Sequence, residues 1–129
     1  KMNEIQAEQY QAIGMRFHTV WPGRDDMLYR KLEKGEVTYI NEHHTRDFIH
    51  IDDVLKVIDF VINNDIKDTL NVGSSRGVSL EYIVKKISKK LNNKPLLNIT
   101  NKSDKLIASI KRLRKFGYKK KINEKFFNI

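Results

Sequence analysis

"HTRDFIHIDD", residues 44–53, decides how the rest of the chain is read. Its first part alternates around Phe48, but too briefly to be settled as a strand from its own residues. Its end is clearer. Asp52 and Asp53 suit the acidic first turn of a helix, where the unpaired amides favour negative charge. Val54, Leu55, Val57, Ile58, Val61 and Ile62 then recur at helical spacing up to Asn63. The stretch therefore predicts an extended segment running straight into an amphipathic helix, with Arg46 at its mouth and His50 as a half-buried structural residue.

On the N-terminal side, Glu4 to Ala12 favours helix and Gly14 ends it. "MRFHTVW", residues 15–21, follows as one strand rich in β-formers. Pro22 and Gly23 punctuate a loop, and Asp25 or Asp26 can cap a helix that runs to about Lys34. "EVTYI", residues 36–40, reads as a strand. On the C-terminal side, "DTLNVGSS" gives a strand ending in a glycine turn. Ser79 reads as the N-cap of a helix that buries Leu80, Ile83, Val84, Ile87 and Leu91, with Val78 and Ile83 spaced as a staple. A short apolar run follows Pro95, then a polar loop, then a basic helix from about Ile107 to Phe116. Strands alternate with helices, so the class is α/β or α+β.

The 129 residues suffice for one small domain. The absence of cysteine excludes disulfides and thiolate metal sites. No apolar run reaches the roughly 20 residues of a membrane span, and the first residues do not follow a secretory-signal pattern, so a cytoplasmic protein without membrane contact is expected. The net charge of +9 is uneven: residues 1–79 hold 10 Lys/Arg against 13 Asp/Glu, and residues 80–129 hold 15 against 3. That basic half is either a solvated face or an anion-binding one. A nucleic-acid module is the rival reading, weakened because aromatic residues do not interleave with the charge. His43 and His44 are adjacent and lack a spaced partner, so no metal site is expected.

Five stretches, "KMNEIQAEQY", "MRFHTVWPGRDDM", "TRDFIHIDDV", "LNVGSSRGVSLEYIV" and "IKRLRKFGYKKK", occur in an order that resembles the C-terminal half of the extended short-chain dehydrogenase/reductases. These are the NAD-dependent nucleotide-sugar epimerases and dehydratases, and the wording is most similar to the UDP-glucuronate 4-epimerase branch. The resemblance implies an α/β fold made of the last Rossmann elements and a small substrate-binding lobe over residues 1–129, without the N-terminal, glycine-rich NAD-binding half. It places the family's catalytic Tyr-x-x-x-Lys pair just ahead of Lys1. The expectation is a fragment, or a decayed remnant, inactive by itself and with no catalytic residue of its own. The order "WPGR" and shortened segments near Asp26 and before Arg46 depart from the family pattern.

The resemblance also assigns roles. His18 would meet the cofactor NAD through its backbone. Thr19, Arg24, Tyr39, Arg46 and Asp104 would contact a nucleotide-sugar, expected to be UDP-linked. Arg46 would grip the diphosphate, because its planar fork of donors suits paired oxygens. From the residues alone, a salt bridge from Arg46 to Asp47 or a neighbouring acid is the competing reading. Tyr39 could instead be an ordinary cross-strand aromatic. Lys102 lies in the same late loop as Asp104. A homodimer would belong to the intact enzyme.

Overall fold

A computed structural model describes residues 2–24, 27–36, 39–41, 43–92, 96–97 and 102–123. Helices and strands alternate along it in an α/β arrangement. α1 (Met2–Gln9) leads to β1 (Gly14–Phe17) and β2 (Thr19–Trp21), then α2 (Leu28–Glu33), β3 (Tyr39–Ile40), β4 (His44–His50) and α3 (Ile51–Asn63). After these come β5 (Thr69–Val72), β6 (Gly77–Ser79), α4 (Leu80–Leu91), β7 (Leu96–Leu97), β8 (Asp104–Leu106) and α5 (Lys111–Lys115).

β4 is the hub. It pairs in parallel with β2 (Thr19↔Phe48), antiparallel with β6 (Arg46↔Val78) and in parallel with β8 (Arg46↔Leu106). β1 and β5 form a separate parallel pair from Gly14↔Thr69 to Phe17↔Val72, and β3 pairs with β7. Successive side chains of a strand point to opposite faces. Phe48 accordingly joins a core cluster with Trp21, Leu32, Ile83 and Ile87, whereas Ile49 enters the larger cluster around Val57, Leu70, Val72, Leu113 and Tyr118.

The junction between β4 and α3 is built as its residues suggest. His50 is the N-cap, and its Nδ1 accepts from the Asp52 amide at 3.2 Å. Asp53 turns inward, where it accepts from Lys56 Nζ at 2.9 Å and from the Asn123 amide at 2.7 Å. Asn123 is itself buried. Its Oδ1 accepts from the His50 amide at 2.9 Å and its Nδ2 donates to the Phe48 carbonyl, so the chain's late segment is tied to this junction. On α4, Ser79 Oγ accepts from the Tyr82 amide, as a capping serine should.

Several expectations are corrected. "MRFHTVW" is two strands: His18 N–H donates to the Val72 carbonyl at 3.0 Å, and from Thr19 the chain pairs with β4 instead. A continuous β-forming pattern does not register a change of partner. On α3, Val54, Val57 and Val61 are buried, but Leu55 and Ile62 are exposed because they lie beside that stripe. The first helix stops at Gln9, the turn being made at Gln11 with φ 51° and not at Gly14. The polar loop before Ile107 contains β8, and the helix after it is shortened to five residues. α2 begins after Met27, which makes no side-chain cap. Asp25 and Asp26, expected as caps, lie outside the described residues, as do positions 37 and 38 of the expected strand.

Candidate functional site

The crossing from β1 to β2 forms one wall of a cavity of about 980 Å³. Phe17, His18, Thr19 and Val20 line it from the crossing, Pro22 to Arg24 from the following turn, and Arg30 from α2. Arg46 on β4 and Leu106 on β8 face it from the other side. Four residues expected at a site, His18, Thr19, Arg24 and Arg46, thus share one cavity although they come from separate segments. Its described lining holds three arginines and no acidic residue.

A second cavity of about 300 Å³ adjoins it, and the two share Thr19, Val20, Pro22, Met27 and Arg46. Three aromatic side chains are among its lining and pack on one another: Trp21 lies 4.9 Å from Tyr29 and 6.1 Å from Phe48, ring centroid to ring centroid, and Lys31 lines it as well. Asn41 adds an amide. Arg46 therefore stands where this slot, with three aromatic residues in its lining, meets a wider chamber whose described lining includes Arg24 and Arg30.

Arg46 is itself heavily engaged. Nη1 donates to the carbonyls of Thr45 at 2.9 Å and Asp104 at 3.3 Å. Nη2 donates to the Asp104 carboxylate at 3.0 Å and contacts His44 Nδ1 at 3.1 Å. The other ring nitrogen of His44, Nε2, contacts Asn41 Nδ2 at 2.9 Å. The acid beside Arg46 is Asp104, not Asp47, because adjacent strand residues point apart.

Asp47 faces the interior and is 1% exposed. Its Oδ1 accepts from the Ser74 amide and hydroxyl, both at 2.6 Å. Its Oδ2 accepts from the amides of Ser75 at 2.8 Å and Ala108 at 3.0 Å. The carboxylate thereby joins β4, the turn after β5 and the segment after β8. Gly73 permits this approach: a Cβ there would lie 2.6 Å from the Ala108 Cβ and 2.8 Å from Asp47 Oδ2.

The remaining expected residues are less centrally placed. The His18 amide is taken by Val72, while its Nδ1 is buried with no hydrogen-bond partner among the described residues. Asp104 sits against Arg46 on the exposed β8. Tyr39 lies on β3, but its side chain is outside the described residues. Lys102 is exposed, its carbonyl near Asn41 Nδ2 at 3.5 Å. Sequence reasoning missed Arg30, which bonds Glu33 at 2.8 Å on the half-exposed α2 and reads as an ordinary helix-surface residue. A Tyr-x-x-x-Lys spacing does occur within the chain, at Tyr82 and Lys86 on α4. There the ammonium lies 5.4 Å from the ring centroid, and neither residue lines the two cavities.

No protein-family model matches the chain. It is 36% identical over 109 residues to the uncharacterized protein MJ1055 of Methanocaldococcus jannaschii, an alignment covering 73% of this chain and 33% of that protein. Among solved structures it resembles a UDP-N-acetylglucosamine 4-epimerase from Methanobrevibacter ruminantium M1, in complex with UDP-N-acetylmuramic acid. The TM-score is 0.77 at 18% identity, over 96% of this chain and 46% of that one. It also resembles a UDP-glucuronic acid 4-epimerase from Bacillus cereus, in complex with UDP-glucuronic acid and NAD, with TM-score 0.70 at 19% identity over 88% of this chain and 43% of the other. The shared fold is the α/β fold of NAD-dependent UDP-sugar epimerases, and the chain spans less than half the length of these relatives. Among the described residues, no helix is long and apolar enough to cross a membrane.

Proposed function

We propose that this chain is the nucleotide-sugar-binding part of an NAD-dependent sugar epimerase or dehydratase. The observation that carries the reading is the position of Arg46 at the junction of a slot with three aromatic residues in its lining and a wider chamber lined by Arg24 and Arg30. A nucleotide-sugar has the same sequence of parts. Its flat base suits the slot, its diphosphate suits a planar guanidinium, and its sugar suits the wider chamber beside Thr19. Arg24 and Arg30 supply positive charge on the chamber side. In the intact enzyme NAD would supply the hydride acceptor and donor. His18, which lines the chamber, is the residue here that would face it, through its backbone. A UDP-linked substrate and the 4-epimerase branch are the finer parts of the proposal, supported by the resemblance of the five sequence stretches.

The test is UDP affinity by calorimetry, wild type against Arg46→Lys. An ammonium cannot reproduce two parallel hydrogen bonds, and a charge-assisted bond is worth about 1.5–3 kcal/mol, so the dissociation constant should rise about tenfold or more. A variant that bound UDP as tightly as wild type while melting at a lower temperature would make Arg46 a structural residue and refute the reading.

A further inference from the structure

We propose that Asp104 is a built-in competitor for the ligand's anion: its carboxylate occupies the Arg46 guanidinium and must be displaced before a diphosphate can bind. This deepens the proposed function and rests on its assignment of Arg46. A guanidinium has five N–H donors, two on each Nη and one on Nε. Both Nη1 hydrogens are directed to carbonyls, of Thr45 and Asp104. Both Nη2 hydrogens are directed to the Asp104 carboxylate and His44 Nδ1. Only Nε–H remains. A bidentate grip on an oxyanion needs at least one Nη hydrogen, so some present bond has to break first.

The Asp104 side chain is the member that can yield. Thr45 and His44 belong to the central strand β4 with Arg46, whereas all three residues of β8 are exposed and the Asp104 side chain is 49% accessible. Its carboxylate resembles a phosphate in offering paired anionic oxygens. Left in place it would also repel an incoming diphosphate. Swinging it into water costs little, since a half-exposed ion pair is weakly stabilising. The arrangement favours ligands whose charge exceeds one carboxylate, and it keeps Arg46 oriented and neutralised in their absence.

Calorimetry with UDP on four proteins tests this: wild type, Asp104→Asn, Arg46→Gln and the double variant. Asp104→Asn should bind UDP about three- to fivefold more tightly, the factor expected for removing an exposed competing pair. The gain should vanish when Arg46 is also replaced. Weaker or unchanged UDP affinity in Asp104→Asn, with Arg46→Gln still impaired, overturns the competitor role and leaves the proposed function standing. UDP affinity indifferent to Arg46→Gln overturns both. Because Asp104 is exposed, the variant should melt within a few degrees of wild type, so a change of affinity can be assigned to the site.

Discussion

Asp47→Asn should destabilise the chain strongly, and its cost can be worked from the four bonds the carboxylate accepts. Oδ1 serves the Ser74 amide and hydroxyl; Oδ2 serves the amides of Ser75 and Ala108. Asparagine keeps one oxygen and places an NH2 where the other stood. If the NH2 faces Ser75 and Ala108, two buried donors meet a donor. If it flips, the Ser74 hydroxyl can rotate to accept, but the Ser74 amide cannot. The flipped form is therefore preferred and still leaves one backbone amide unsatisfied while the other bonds lose their charge. An orphaned amide costs about 1–3 kcal/mol and weakened charge-assisted bonds add to it, giving about 2–4 kcal/mol in total. Urea unfolding would read this as a midpoint lowered by about 1–2 M at an unchanged slope, given slopes of about 1–3 kcal/mol/M for small proteins. A loss below about 0.5 kcal/mol would refute the reasoning, since it would mean that those amides find other partners at little cost.

Three further outcomes are expected. Tyr118 is 1% exposed and its hydroxyl has no hydrogen-bond partner among the described residues, so Tyr118→Phe should stabilise by about 1 kcal/mol in a thermal melt. Burial, reinforced by the Asp53 carboxylate, holds the Tyr118 phenol above its ordinary value. Its folded pKa thus exceeds the unfolded one of about 10, so its contribution is complete below that pH and is lost as pH rises through the folded value. Stability measured into the alkaline range should fall less steeply in Tyr118→Phe. Gly73→Ala would drive a Cβ into Ala108 and Asp47, and an overpacked site of this kind should cost about 1–3 kcal/mol, read as a lowered urea midpoint.

The parts of the fold legible in the sequence are those whose signals are local. α3 and α4 announce themselves by helical spacing, and the Ser79 cap lies three residues from the amide it satisfies. β4 does not announce itself, because its claim to be the hub depends on partners near residues 20, 78 and 105 that its own residues do not encode. The site follows the same rule. His18, Thr19, Arg24 and Arg46 could be gathered through family resemblance, but the contact between Arg46 and Asp104 spans 58 positions. The anchoring roles of Asp47 and Asn123 passed unnoticed for a further reason. Much of what they hold is backbone, and a main-chain amide or carbonyl leaves no trace in the choice of neighbouring residue types.

The basic excess of the chain and the arginines of the larger cavity lie in different halves of the sequence. The basic excess lies in residues 80–129, yet the three arginines lining the larger cavity, Arg24, Arg30 and Arg46, all come from the half in which acids outnumber bases. Lys85 and Lys86 illustrate where the lysines of α4 go: one pairs with Glu81 and the other lies over Tyr82, both on that helix's own surface. What concentrates positive charge at the cavity is topology. β4 turns Arg46 outward and Asp47 inward on consecutive residues, and Asp47 fixes the segment at Ala108, four residues beyond Asp104. One strand therefore supplies both the cation that the proposed function assigns to a ligand and the anchor that holds the Asp104 carboxylate within its reach.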